Sequence, residues 1–357
     1  MRLELIGERL KNLVCLAAFS LPLAASIEDA SSATYGFQSP IHFPMTLAGN
    51  FGEPRPNHFH GGIDVKTDHV EGKPVYAIGE GYVAKASVGL NGFGNAVYIR
   101  HPNGRTSVYA HLREFAPKIA VTVKRYQRLH QEHGDTCEIE FPASQMPVSR
   151  GQFIAFSGNT GASTGPHLHL EVHETRSSNM LDPLEFLKAY VDDRVPPQIL
   201  GIKAYPKQGE GSFATGSVFY PTTTGLYAWG KVGFAVRAED YMDSVPNRYG
   251  IRFIRFYADD KLVFSSDVNG IPVEDNPLVN IWGDSIIFQT RRQWFLKSFI
   301  EPENTLPILT ADENRGYVVF DEERPYRLKY VLSDIFGNTT EKEFVVMGRK
   351  RKLKNEI

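Results

Sequence analysis

Cysteine is nearly absent from this 357-residue chain, which holds only Cys15 and Cys137. That scarcity excludes a disulfide framework and a cysteine-rich structural metal site, so stability must come from packing or from a metal held by other ligands. An excess of charge of one sign is also missing. Lys plus Arg number 39 against 41 Asp plus Glu, a formal net charge of -2, without the basic surplus of a nucleic-acid binder. Beyond the N-terminal region no apolar run approaches the 18 or so residues of a membrane-spanning helix. Histidine is lacking from Glu174 to Ile357, and tryptophan from residues 1–228. What remains is an ordinary globular composition, 42% hydrophobic and 22% charged, with 31 Gly and 22 Pro in no fixed period, which excludes collagen-like and wholly disordered chains.

At the N-terminus, Arg2, Arg9 and Lys11 precede an apolar run from Leu13 to Ala25, which ends in the small residues Ala24, Ala25 and Ser26. This reads as a secretory signal peptide over residues 1–26 and implies export to the periplasm, cell envelope or medium. Leu13 and Val14 before Cys15 do not fit a lipid-attachment signal.

The split between histidine and tryptophan marks two folded units, in keeping with the chain's length. All eleven histidines lie between His42 and His173, whereas Trp229, Trp282 and Trp294 lie beyond Pro196-Pro197. Short β-branched and aromatic runs punctuated by Gly, Asn and Pro predict a mostly β chain. The first unit, residues 35–192, reads as an antiparallel sheet, with 113–147 as an inserted polar surface loop and a short helix at 182–187. The second, residues 196–347, alternates apolar and basic residues from Ile251 to Tyr257 and from Tyr326 to Val331, as one-face-buried strands of an immunoglobulin-like β-sandwich do. Residues 268–316 fit neither pattern, and residues 348–357 form a basic tail.

Chemistry concentrates in three places. His60-Gly61-Gly62-Ile63-Asp64 sets an imidazole and a carboxylate four residues apart, and His167-Leu168-His169 sets two imidazoles two apart. On a strand, even spacing sends side chains to one face, so each pair can converge on one point. His111, after Val108-Tyr109-Ala110, adds a fourth imidazole on the parity of Tyr109. Neutral imidazoles plus a carboxylate suit Zn²⁺ with an open fourth position for water, and one ion does not need all five groups. The two left over are free for general-base and electrostatic work. Glu171 and His173 share the parity of His169, so either can orient a ligand. His42, His58, His69, His101, His130 and His133 read as solvated. Gly161-Ala162-Ser163-Thr164-Gly165 matches a serine nucleophile elbow only in letters, because Pro166 and a strand follow where a helix is required. Gly92-Phe93-Gly94-Asn95 is likewise a turn, with no helix after it to hold phosphate.

Taken together, His60 to Asp64, Gly72-Lys73-Pro74-Val75, Gly81-Tyr82-Val83, Gly92 to Asn95, Tyr109 to Leu112 and Ser157 to His169 resemble the lysostaphin-type zinc peptidases of family M23, over roughly residues 56–175. The resemblance implies one Zn²⁺ held by His60, Asp64 and His169, with His111 and His167 as catalytic residues. It further implies hydrolysis of peptide cross-links, with the stem peptides or cross-bridges of bacterial peptidoglycan as partners. The alternative is a non-catalytic relative in the envelope that binds and activates a cell-wall amidase. A third reading, a carbohydrate-binding protein, would act through the Trp-bearing half. On the peptidase reading, an enzyme cut after residue 195 keeps its chemistry.

Overall fold

A computed structural model describes residues 36–130, 136–213 and 218–350. The expected signal peptide and most of the basic tail lie outside the described residues. Strands dominate, and among the described residues no helix is long and apolar enough to cross a membrane.

The first half is built on an antiparallel sheet whose central order runs Leu47–Gly49, Ile63–Lys66, His167–Glu174, Arg105–Ala110, Ala96–Arg100, Gly81–Val88 and Cys137–Glu140. Period-two alternation decides which face each residue serves. Ile63 and Val65, with Leu168, Leu170 and Val172, turn inward and are completely buried. Asp64, His167, His169, Glu171 and His173 are left to the opposite face. Register then pairs them across strands: His169 lies opposite Asp64 on one side and Ala110 on the other.

The stretch 113–147 is not the loop its polarity suggests. It holds strands Glu114–Phe115, Cys137–Glu140 and Pro147–Val148 and a helix, Pro117–Leu129. Pro117 opens the helix where a missing N–H costs nothing. Only Ile119 and Val123, one turn apart, are buried, so the apolar stripe is two residues wide among Lys and Arg. That narrow stripe explains the misreading.

The second half is a larger sheet centred on two long antiparallel strands, Gln198–Phe213 and Leu226–Met242, with the hairpins Phe253–Ala258/Lys261–Asp267 and Pro325–Ser333/Thr339–Gly348. Its aromatic core includes Phe234, Phe256, Phe320, Tyr330 and Trp282. Trp282, only 1% exposed, is packing rather than a ligand platform.

The stretch 268–316, which the sequence left unplaced, joins the halves. Its strand Gly270–Ile271 pairs with Met180–Leu181, itself an extension of the sheet carrying His169. Phe51, Phe59 and Met180 from the first half sit in the second-half core, and Met242 and Tyr249 sit in the first-half core. Arg252, 6% exposed, donates to Asp182 at 2.7 Å, Glu185 at 2.6 Å and Asp267 at 2.7 Å. Contacts therefore join the described residues of both halves into one unit. A chain cut after residue 195 would expose apolar surface and strip Asp182 and Glu185 of the Arg252 cation, against the expectation that the first half suffices alone.

Candidate metal centre

His60 precedes the strand Ile63–Lys66 rather than lying on it, so the four-residue spacing to Asp64 works through a bend and not through strand parity. The two glycines in that bend are needed because the chain runs against its neighbours. A Cβ on Gly62 would stand 2.2 Å from the Leu170 carbonyl oxygen, and one on Gly61 would stand 2.6 Å from a Glu171 carboxylate oxygen.

His60 Nε2 lies 3.1 Å from Asp64 Oδ1 and 3.1 Å from His169 Nδ1, and the last two atoms are 2.8 Å apart. Ligands about 2.0–2.2 Å from a tetrahedral zinc ion stand about 3.3 Å apart, so this donor set fits such an ion closely. All three residues are buried. His111, His167 and His169 also bring ligand atoms within 4.8 Å of one another. That second triple shares His169 but contains no carboxylate to offset a divalent charge.

Each imidazole has its far nitrogen committed, which fixes its tautomer. His60 Nδ1–H donates to the Asn50 carbonyl at 2.7 Å, leaving Nε2 to face Asp64. His111 Nδ1–H donates to the Thr160 carbonyl at 2.8 Å. His167 Nδ1–H donates to the Gly165 carbonyl at 2.8 Å, and its Nε2 stands 3.4 Å from Asp64 Oδ1. His169 is turned the other way. Its Nε2–H donates to Glu171 Oε1 at 2.9 Å, while Glu171 Oε2 accepts from His173 Nε2 at 2.5 Å. Arg55, which the sequence did not single out, donates to Asp64 Oδ2 at 2.8 Å.

His111 reaches the site by a route its strand parity does not give. The strand ends at Ala110, and His111 adopts a left-handed backbone with φ 57°. It is held there by its N–H to the Phe93 carbonyl at 2.8 Å and by the Thr160 contact. The two glycine turns read in the sequence make this possible by packing backbone against backbone. A Cβ on Gly94 would lie 2.6 Å from Gly161 N, and one on Gly161 would lie 2.3 Å from Gly94 N. His111 and His167 then face each other with ring centres 4.8 Å apart.

Electrostatics follow burial. Desolvation, helped by His169 and His167, lowers His111 to about 4; desolvation also lowers His60 to about 4 against the pull of Asp64, so both are neutral at pH 7. Burial would raise Asp64, but the surrounding imidazoles hold it far below the usual carboxylate range. Burial would lower His169, but hydrogen bonds to Asp64 and Glu171 raise it to about 9.

These groups open into a groove of about 1090 Å³. Its walls come from both halves: His58, Phe93, His111 and His167 from the first, and Asn247, Val273 and Asn276 from the second. Asn276 Oδ1 accepts the Phe59 N–H at 2.7 Å, two residues from Gly61. Of the other histidines, His42 stacks on Tyr76 at 3.7 Å, and His58 bonds the Pro56 carbonyl at 2.9 Å on the surface. His101 departs from the solvated reading: it is 7% exposed, between the Glu80 carbonyl and Ser107. His133 lies outside the described residues.

Residues 58–133 match the model of peptidase family M23, a span that includes His60, Asp64 and His111 but ends before His167. The chain is similar to a Haemophilus influenzae protein named "Uncharacterized metalloprotease", 35% identical over 114 residues, which is 32% of this chain and 18% of the relative. It is similar to the DD-carboxypeptidase/endopeptidase Mpg of Neisseria meningitidis, 38% identical over 113 residues, 31% of this chain and 19% of the relative. It is also similar to the peptidoglycan DD-endopeptidase ShyC of Vibrio cholerae, 34% identical over 139 residues, 38% of this chain and 26% of the relative. The chain thus spans about a fifth to a quarter of the length of these relatives.

Proposed function

We propose that this chain, which carries a peptidase family M23 domain, is an exported zinc metalloendopeptidase that hydrolyses peptide cross-links of bacterial peptidoglycan. The observation that carries the reading is the convergence of four imidazoles and one carboxylate on one groove, with every imidazole's outer nitrogen tied to a carbonyl or carboxylate. We assign His60, Asp64 and His169 as the zinc ligands, and His111 and His167 as catalytic. When bound, zinc would supply Lewis-acid polarisation of the scissile carbonyl and bring the pKa of water down toward about 7.

The rest of the work falls to side chains of the chain. His111 and His167 stand side by side, each with Nδ1–H spent on a backbone carbonyl and Nε2 left for the reaction. One uses its Nε2 lone pair to accept the proton of the attacking water and afterwards passes that proton to the leaving amine; the other can donate to the oxyanion formed from the carbonyl only as an imidazolium that carries a second proton on Nε2. Asp64, anchored by Arg55, balances the charge of the cation. Mixed walls of Phe93, Val273 and Asn276 suit an extended peptide strand better than a compact ligand. We read the second half as an immunoglobulin-like sandwich that serves as one wall of the groove. The similarity to relatives named for peptidoglycan endopeptidase activity supports the substrate class.

The experiment is digestion of isolated peptidoglycan followed by mass spectrometry of the fragments, because the masses identify the severed bond. His111→Ala is expected to keep one zinc per chain and lose 10²- to 10⁴-fold in rate. His169→Ala loses both zinc and activity. Hydrolysis undiminished in the His169 variant, or no fragment from the zinc-loaded wild type, would refute the proposal.

A further inference from the structure

Outside the His60, Asp64 and His169 set, Asp193, Asp240 and Asp334 bring carboxylate oxygens within 4.8 Å of one another. They come from three parts of the chain: the segment entering the second half, the strand Leu226–Met242, and the turn between Pro325–Ser333 and Thr339–Gly348. All are buried, at 8%, 2% and 3% exposure. Asp334 is well satisfied, since its Oδ1 accepts from Phe336 N and Asn338 N and its Oδ2 from Asn338 Nδ2 at 2.7 Å. Asp193 Oδ1 accepts from Val195 N at 2.9 Å. Among the described residues, Asp193 Oδ2 and Asp240 Oδ1 receive no hydrogen bond from an N–H or O–H donor.

No Lys or Arg forms an ion pair with any of the three among the described residues. Arg194, the chain neighbour of Asp193, gives its N–H to Asp243 at 2.8 Å and its guanidinium to the same carboxylate. Three clustered buried carboxylates with no cationic side chain and with two oxygens left unpaired are rare, because desolvation and mutual repulsion are not repaid. An all-oxygen, hard donor set without His or Cys favours calcium, magnesium or manganese over zinc. Magnesium keeps much of its water shell, whereas calcium accepts several protein oxygens in irregular geometry, as a closely enclosed triad demands.

We propose that Asp193, Asp240 and Asp334 bind a calcium ion that locks the first half onto the second. The position suits that role. Asp240 pairs in register with Tyr249, whose hydroxyl donates to the Leu47 carbonyl at 2.8 Å, and Asn247 donates to the Ala48 carbonyl at 3.0 Å. The strand Leu47–Gly49 is the neighbour of the one carrying Asp64. A cation here therefore braces the seam that backs the groove. The competing occupant is a proton, since burial, Asp334 and Asp193 push the Asp240 carboxyl up to about 8.

The test is equilibrium dialysis of the zinc-saturated full chain against ⁴⁵Ca²⁺, alongside thermal melts with and without calcium. The expected result is one calcium per chain, saturating at millimolar calcium or below, with a melting temperature that rises as calcium is added. Asp240→Asn abolishes the binding and the rise, and His169→Ala, at the zinc site, leaves both in place. If Asp240→Asn fails to fold, Asp193→Asn makes the same comparison. Absence of saturable binding by the wild type at 10-fold higher calcium overturns the proposal, as does binding unchanged in a folded Asp240 or Asp193 variant. A wild type that binds no calcium and is instead stabilised as pH falls through 8 holds a proton there, and the proposal fails.

Discussion

Replacing Glu171 with Gln probes the part of the centre that lies behind the proposed zinc ligands. Glu171 is 4% exposed and spans two imidazoles, with Oε1 2.9 Å from His169 Nε2 and Oε2 2.5 Å from His173 Nε2. Glutamine keeps the volume but has one acceptor oxygen. That oxygen can serve His169 or His173, not both, and the amide N–H₂ forces the other imidazole to accept. The negative charge that makes His169 a strong donor also disappears. A charge-assisted hydrogen bond is about twice as strong as a neutral one, and losing a carboxylate behind a metal-bound imidazole weakens metal affinity by about 10- to 100-fold. Glu171→Gln should therefore bind zinc more weakly by roughly 1.4–2.7 kcal/mol. Glu171→Ala should be worse, because the buried His169 N–H then has no acceptor, which costs about 1–3 kcal/mol more. Zinc competition against a fluorescent chelator at pH 7.5 measures these differences, with circular dichroism as the check on folding. A folded Glu171→Gln variant with wild-type zinc affinity would refute the idea that this carboxylate sets the ligand's orientation and basicity.

Other expectations follow from the same geometry. His101 is lowered by burial from 6.5 to about 4, so the unfolded chain takes up its proton first; stability is intact above about pH 7 and falls as pH drops from 6.5 toward 4. By pH 5 the loss from this residue is about 2 kcal/mol, and urea melts at pH 7 and 5 should show a drop smaller by about that amount in His101→Gln than in the zinc-loaded wild type, the remainder coming from other buried groups such as His111. Gly62→Ala places a Cβ 2.2 Å from the Leu170 carbonyl, so the strands bearing Asp64 and His169 must part. A loss on the order of 2–4 kcal/mol and less than one zinc per chain are expected, and a variant with unchanged melting temperature and zinc content would contradict this. Ending the chain at residue 195 uncovers Phe51, Phe59 and Met180 and should give an aggregated or molten product by size exclusion and near-ultraviolet circular dichroism. A soluble, fully active fragment would show that the second half is dispensable.

The residues that the sequence made legible are those whose position depends on strand period alone. Asp64, His167, His169, Glu171 and His173 alternate with Ile63, Val65, Leu168, Leu170 and Val172, and burying the apolar set leaves the polar set on the groove. Residues that depend on turns were read for the wrong reason or missed. His111 enters through a left-handed backbone and His60 through a bend, neither of which a period of two describes. The Asn50 and Thr160 carbonyls that fix tautomers carry no side-chain signal at all. Arg55 meets Asp64 only because a tight hairpin, Pro54–Arg55 against His58–Phe59, folds it back. The triad of Asp193, Asp240 and Asp334 has no local pattern, since its members are brought together by the packing of the second half.

The larger departure concerns what the second half is for. Read as a sequence it is a separate sandwich, because its strands alternate cleanly and its composition changes at Pro196. In the fold, three links tie it to the first half: the Met180–Leu181 and Gly270–Ile271 pairing, the buried Arg252 among three carboxylates, and Asn276 on the Phe59 backbone. Two of these attach to a segment that also positions a proposed zinc ligand or the orienting Glu171: Phe59 directly precedes His60, and Met180 sits opposite His173 on the strand that carries His169 and Glu171. A wall bonded to the ligand-bearing strands makes the width of the groove depend on how the second half seats against them. Selectivity for a peptide strand would then be set by how the second half seats, not by the five polar residues of the centre.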